Sequence, residues 1–271
     1  MFRIANGVSL FFILNLSLTA AAQNASVGPG DRTTVERYNS TREKALVPGQ
    51  KVNVFVWNVH KYTDELARQT VAKKSEIADF VLIQESMMGD GFTAFYESAK
   101  SMAWYSAKSF ETDPGIFTGV TTGSKYRVVA ASGILSYARE PVTSTPKMIV
   151  LTEIDIKGRS ETLLIANIHG INFVSTAEFA SQIEQLQNAL LEHKGPIIVA
   201  GDFNLWWYER ALVLGRMARN VGLDYVWLEG DRRTLPLDQM FVRGLSIVKG
   251  RVMSEQGGSD HWPLWGEFVL R

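Results

Sequence analysis

Short runs of β-branched and aromatic residues alternate along the chain with stretches of helical period. Val52 to Trp57 and Phe80 to Ile83 read as strands rich in β-branched and aromatic residues, and the charged segment near Asp64 to Lys74 between them reads as a helix. Val150 to Ile156 and Thr162 to Ile168 flank Lys157-Gly158-Arg159, which predicts a hairpin. From Ser175 to His193, Phe179, Ile183, Leu186 and Leu190 recur at spacings of four, three and four, giving one apolar face to a helix that stops before Gly195-Pro196. Ile197 to Ala200 follows as a buried strand, Glu209 to Val221 as a helix ending at Gly222, and a further strand opens near Asp238. Strand alternating with helix is α/β architecture. Antiparallel neighbours among the helices argue against an all-parallel sheet and fit two mixed sheets packed face to face under outer helices.

Before Lys51 this pattern lapses. Arg3, the apolar run Leu10 to Leu18 and the small residues Ala20-Ala21-Ala22 follow the order of a secretory leader, so residues 1–22 are expected to be a signal peptide cleaved near Ala22. A membrane anchor would need about 20 predominantly apolar residues, and this run is shorter and interrupted by Asn15 and Ser17. The expected location is a bacterial periplasm or the medium. Residues 23–48, with Gly28-Pro29-Gly30 and mixed charges from Asp31 to Lys44, read as a linker or an amino-terminal wrap, leaving 49–271 as the domain.

Composition narrows the chemistry. A chain of 271 residues with 46% hydrophobic content can bury a large core. Its 28 basic residues balance 28 acidic ones, so bulk charge supplies no attraction to nucleic acid or to anionic membranes. Cysteine is absent, which excludes disulfides, thiolate metal sites and a cysteine nucleophile. Any metal ligands are oxygen and nitrogen.

Acids, amides and imidazoles recur where the apolar runs end: Asn58 and His60 in Trp57-Asn58-Val59-His60-Lys61, then Gln84-Glu85, Asn167-Ile168-His169, Gly201-Asp202-Phe203-Asn204, Asp238, and Ser259-Asp260-His261. Each alone is an ordinary turn former. Together, at the ends of strands on a rigid scaffold, they suit a hydrated divalent cation and a phosphate ester. Bland readings stand beside the functional ones: His169 as a satisfied core histidine, Asp238 with His261 as a structural pair, His60 on an exposed loop, and His193 complementing a helix dipole. Gly201 is expected to serve the backbone. Lys147, Arg139 and Arg127 read as isolated, solvated cations rather than a nucleic-acid stripe.

This order of motifs resembles the endonuclease/exonuclease/phosphatase superfamily from about Lys51 to the carboxyl terminus, and its wording is most similar to a group of uncharacterised bacterial members. The resemblance implies a four-layered α/β sandwich, two packed mixed β-sheets flanked by helices, and metal-dependent phosphoester hydrolysis. It implies Mg²⁺, or Mn²⁺ or Ca²⁺, on Glu85 with Asn58 and Asp260 nearby. Asp202 would deprotonate water, and Asn204, two residues on along an extended segment, would donate to a phosphate oxygen. Asp238 would orient His261, and His169 would supply a second donor to the substrate. The family's abasic-site enzymes tend to carry tyrosine where His169 stands, which points to the histidine-bearing branches. A phosphodiester in nucleic acid is the leading substrate. Sphingomyelinase-like cleavage of a phospholipid, or hydrolysis of an inositol phosphate, is the alternative, to be favoured by exposed tryptophans at the mouth of the site. Trp206-Trp207-Tyr208 and Trp262 are the aromatics in question, with core packing as their bland role. A catalytically silent binding protein of the same fold is the third reading, and it predicts that Glu85, Asp202, Asp260 and His261 do not face one another.

Overall fold

A computed structural model describes residues 32–253 and 257–271. The expected leader over 1–22, and residues 23–31 after it, lie outside the described residues. In chain order the elements are β1 (Arg32–Thr33), β2 (Glu36–Tyr38), β3 (Lys51–Asn58), α1 (Glu65–Ile77), β4 (Phe80–Met88), α2 (Phe92–Ser98), β5 (Ala103–Asp113), β6 (Ile116–Ser124) and β7 (Val128–Leu135). They continue with β8 (Met148–Ile154), β9 (Leu163–His169), α3 (Thr176–Glu192), β10 (Ile197–Asp202), α4 (Tyr208–Val221), β11 (Asp224–Tyr225), β12 (Asp238–Arg243), β13 (Leu245–Val252) and β14 (Leu264–Leu270).

Two seven-stranded sheets result, one ordered β1-β7-β8-β9-β10-β12-β11 and the other β13-β14-β3-β4-β6-β5-β2. Only β9–β10 and β3–β4 run parallel among the described strands. Strand β3 shows why the sheets stack: Val52, Val54 and Val56 enter the core between the sheets, while Phe55 and Trp57 face an outer layer with Val71 and Tyr96. Both faces are buried, so the strand is apolar without a break from Val54 to Trp57 instead of alternating. On the far side α3 and α4 bury Phe179, Ile183, Leu186, Leu214 and Met217 against Ile168 and Val199. Truncating such a residue, Leu186→Ala for example, costs about 2–5 kcal/mol.

Local signals set the helix ends. The Asp64 side chain accepts from Leu66 N–H at 2.8 Å, Ser175 and Glu178 form a reciprocal capping box, and Gly222 closes α4 at φ 73°. Two expectations need correcting. Strands β8 and β9 separate at Ile154 and Leu163, and Ile156 instead bridges Leu46, whose N–H donates to Asp155 O at 2.8 Å. The arriving amino-terminal segment thus captures what reads as the tip of a hairpin. His193 does not serve its own helix: its Nε2 lies 2.8 Å from Thr162 O, tying the end of α3 to the entry of β9. Within residues 32–48, β1 adds to the β7 edge of one sheet and β2 to the β5 edge of the other.

Candidate active site

The two parallel pairs end side by side, and their carboxyl ends carry the chemistry. Asn58 is the last residue of β3, and His169 and Asp202 are register partners at the ends of β9 and β10. Asp238 opens β12 opposite Asp202. Glu85 sits in a β-bulge, where the pairing of β4 with β6 shifts between Gln84 and Ser86, and its φ of 51° is left-handed. The bulge interrupts the strand's two-residue alternation and aims Glu85 out of the ladder. Beneath it Gln84 Nε2 donates to Asn167 Oδ1 at 2.6 Å, and Asn167 Nδ2 donates to Thr121 O at 3.0 Å, so the two sheets are stitched together under the site.

His169 stands between two acids, its Nε2 3.8 Å from Glu85 Oε1 and 3.6 Å from Asp202 Oδ2. Asn58 Nδ2 donates to Asp202 Oδ2 at 3.0 Å, and His261 Nε2 is 3.9 Å from the same oxygen. The other nitrogen of His261 lies 3.1 Å from both oxygens of Asp238, which also receives Arg233 Nη1 at 3.3 Å. Trp57 Nε1 holds His261 O at 2.8 Å, and Ser259 Oγ holds Asn58 O at 2.7 Å, fixing the last loop to the end of β3. Gly201 does serve the backbone: its φ is 145°, and an added Cβ would meet Ile168 O at 2.0 Å.

Electrostatics separate the roles. Burial pushes Asp202 up to about 6; Asp238 adds to that rise, and His261 with the Asn204 and Asn58 donors only partly offsets it. Burial alone would lower His261, yet Asp238 and Asp202 outweigh it and lift the imidazole to about 10. Burial, with Lys147 beside it, drives His169 well below the ordinary histidine value and keeps it neutral at pH 7. Against the upward push of burial, His169, Lys61, Lys147 and His60 hold Glu85 at about 2, and with His169 neutral at pH 7 Lys61 and Lys147 supply positive charge beside it. Lys61 Nζ is 3.6 Å from Glu85 Oε2.

Eight sequence-identified residues therefore divide unevenly. Glu85, Asn58, His169, Asp202, Asn204, Asp238 and His261 are joined through direct contacts, whereas the Asp260 carboxylate is exposed and lies 3.8 Å from His60 Nδ1. Asn204 departs from its expected geometry. The chain turns left-handed there, φ 52°, so its Nδ2 donates to Gly170 O at 2.9 Å and lies 3.4 Å from Asp202 Oδ2 rather than pointing outward along a strand. Lys61 and Arg233 are missed by sequence reasoning. Lys61 shares a run of positive φ over His60–Tyr62, and nothing in the sequence marks Arg233. Lys147 is not solvated: it is buried with its Nζ 3.2 Å from Glu140 Oε1. Arg127 and Arg139 are exposed, as expected.

Two places could take a cation. Ligand atoms of Asp202, Asp238 and His261 lie within 4.8 Å of one another, but there the His261 Nδ1 already pairs with both Asp238 oxygens at 3.1 Å, so a cation would have to displace that pairing. Glu85 Oε2 fits better: it is a buried, ionised carboxylate oxygen without a hydrogen-bond partner among the described residues. A hard cation prefers such oxygens. Around the mouth Trp207 and Tyr208 are exposed, Trp206 is half-buried with its Nε1 3.1 Å from Asn204 Oδ1, and Trp262 packs against the core between the sheets.

Comparison with known proteins gives a consistent account. A family model described as "Endonuclease/Exonuclease/phosphatase family" matches residues 55–261. A UPF0294 protein of Vibrio campbellii is 33% identical over 228 residues, covering 81% of this chain and 78% of its own length. A UPF0294 protein of Erwinia tasmaniensis is 29% identical over 232 residues, covering 82% and 83%. Among solved structures, an endonuclease/exonuclease/phosphatase family protein from Leptotrichia buccalis superposes with a TM-score of 0.61 at 16% identity, over 81% of this chain and all of that one. Truncated TDP2 from Caenorhabditis elegans gives 0.57 at 17% identity, over 82% and 99%. At these identities the structures speak for the fold.

Proposed function

This chain belongs to the endonuclease/exonuclease/phosphatase family, and on that footing we propose that it is a divalent-metal-dependent phosphodiesterase acting on nucleic acid outside the cytoplasm. The observation that carries the reading is the contact chain Glu85–His169–Asp202–His261, in which four titratable side chains, three from different strands and one from the loop before β14, converge and hold different protonation states. Converged, perturbed groups of this kind mark catalytic sites. They also count against a silent binding protein. The expected leader over 1–22 motivates the extracytoplasmic location.

Glu85 and Asn58 would hold the cation, Mg²⁺ by preference. The ion, when bound, polarises a phosphoryl oxygen and offsets its growing negative charge. Asp202, poised at about 6, accepts a proton from the attacking water at Oδ2, which Asn58 and Asn204 orient. His261, kept protonated by Asp238, presents Nε2–H to a non-bridging phosphate oxygen. Neutral His169 donates a second hydrogen bond or steers the leaving oxygen. Cleavage of a phospholipid headgroup is the second reading, favoured by the exposed Trp207.

Purified protein stripped with chelator should cleave nucleic acid only when Mg²⁺ is restored, and Asp202→Ala should reduce the rate by several orders of magnitude. Sphingomyelin vesicles and inositol phosphates are run in parallel. Failure to cleave any of these with Mg²⁺, Mn²⁺ or Ca²⁺, or full activity in Asp202→Ala, rejects the reading.

A further inference from the structure

The most unusual buried group outside the contact chain is Arg210. Its side chain is 0% exposed, and no carboxylate pairs with it among the described residues. Instead Nη1 donates to Ile171 O at 3.0 Å and to Asn204 O at 2.9 Å, and Nη2 donates to Val174 O at 2.8 Å. The guanidinium lies 4.7 Å from the Phe179 ring centre and 5.2 Å from that of Trp207. Burying a cation without a counter-charge is costly. What it secures is the relative position of two loops, one after β9 and one after β10.

Both loops display aromatics. Phe173, between the two carbonyls that Arg210 grips on the first loop, is 65% exposed at a left-handed φ of 53°. Trp207 and Tyr208, just after the gripped Asn204 carbonyl, are 53% and 73% exposed. Trp207 has the guanidinium against its ring, and Trp206 bonds Asn204, itself bonded to Asp202. The Trp207 ring, exposed yet held against the guanidinium, is pre-organised to receive another flat surface at small entropic cost, and Phe173 and Tyr208 are exposed on the segments that Arg210 ties together.

We propose that Phe173, Trp207 and Tyr208 form a stacking subsite for unpaired nucleobases, so that the substrate is single-stranded nucleic acid; this rests on the nucleic-acid reading above. Charge and neighbours favour a base over the alternatives. The rim residues Glu178 and Glu209 are acidic and Asn172 is polar, so the exposed rings present a face for a neutral flat group and not for a phosphate. The same polar neighbours break up the apolar tip that insertion into a lipid surface requires. A duplex keeps its base faces inside the stack, whereas a single strand offers them freely.

The test compares single-stranded and duplex DNA oligomers of one sequence, with bis(p-nitrophenyl) phosphate as a small phosphodiester and phosphatidylcholine vesicles as a lipid probe. The wild-type protein should show a lower KM for the single strand. Phe173→Ala with Trp207→Ala should raise that KM about 5- to 100-fold, from a stacking contribution of ~1–3 kcal/mol per base, with a much smaller change for duplex, and Trp207→Phe should restore part of it. Tryptophan fluorescence of Asp202→Ala titrated with the single strand reads binding without turnover. Metal-dependent cleavage of the small diester without strand preference, or an unaltered KM in the double variant, overturns the subsite and leaves the proposed function standing. Loss of vesicle binding rather than of oligomer binding in the double variant assigns the rim to lipid and likewise overturns it. Absence of both cleavage and oligomer binding overturns subsite and function together.

Discussion

Replacing Arg210 with methionine tests whether a single buried cation holds the two loops that flank the site. Methionine keeps most of the stem's volume and removes every donor, so Ile171 O and Val174 O lose the only partners that reach them among the described hydrogen bonds, while Asn204 O retains Trp206 N–H at 2.9 Å. Two orphaned buried acceptors at about 1–3 kcal/mol each give a cost of ~2–6 kcal/mol. The opposing effect is relief from desolvating a guanidinium whose Nε already lacks a partner. The carbonyls should win, for a net loss of about 2–4 kcal/mol in urea unfolding, or roughly 5–15 °C in Tm for a domain of this size. Arg210→Lys should recover little, because one ammonium cannot fork between carbonyls on two loops. A loss below about 0.5 kcal/mol in Arg210→Met, the level of an ordinary surface change, would show that the loops are held by other contacts and would remove the rigidity on which the stacking subsite depends.

Other outcomes follow from individual contacts. Saturating Mg²⁺ at about 100 times its Kd should stabilise the wild-type protein by ~2.7 kcal/mol and Glu85→Gln not at all; an equal thermal shift in both would move the cation away from the unpartnered Glu85 Oε2. His261 is raised from 6.5 to about 10, so in chelator its pairing with Asp238 stabilises the fold fully below the unfolded value and loses that effect as pH rises towards 10. Urea midpoints of wild type and Asp238→Asn should therefore converge between pH 7 and 10; a gap that stays constant contradicts the pairing. Gly201→Ala places a methyl 2.0 Å from Ile168 O at a φ of 145° and should fail to yield folded protein at 37 °C, as read by soluble expression and circular dichroism.

Some strands could be read from the chain because of how they are buried. β3, β9 and β10 pack on both faces, so each is apolar over most of its length, and α3 combines a clean apolar face with a capping box. The stretch from β5 to β7 offered no such run. Its buried positions include Thr118, Thr121, Thr122 and Ser124, whose polarity imitates a loop. Inside the protein Thr121 is satisfied by hydroxyls of neighbouring strands, its Oγ1 lying 2.8 Å from Ser86 Oγ and 2.7 Å from Ser106 Oγ, and Ser124 Oγ donates to Tyr126 O at 2.9 Å. Gly119 adds to the disguise, being required where a Cβ would meet Ala107 O at 2.0 Å. Strand pairing, which sequence does not record, converts a polar segment into sheet.

The site divides in the same way, and the division has a cause. Residues whose role is to carry charge at a strand end, such as Glu85, Asp202, Asp238 and His261, reveal themselves because an acid or imidazole after an apolar run has few cheap explanations once several occur together. Residues that hold those groups in place act by reach. Arg233 extends to Asp238 from a loop, Lys61 to Glu85 across a left-handed turn, and Arg210 back beneath two loops from the first turn of α4, where its position reads only as one more charged residue on a helix. Asn204 shows how much hangs on this: with the backbone extended its amide would meet substrate, and with the turn locked by Arg210 the same amide braces Asp202 instead. The chemistry of the site is thus written at the strand ends, while its geometry is set by cations whose carbonyl and carboxylate partners, near in sequence like Asp238 or distant like Glu85 and Ile171, are chosen by the fold.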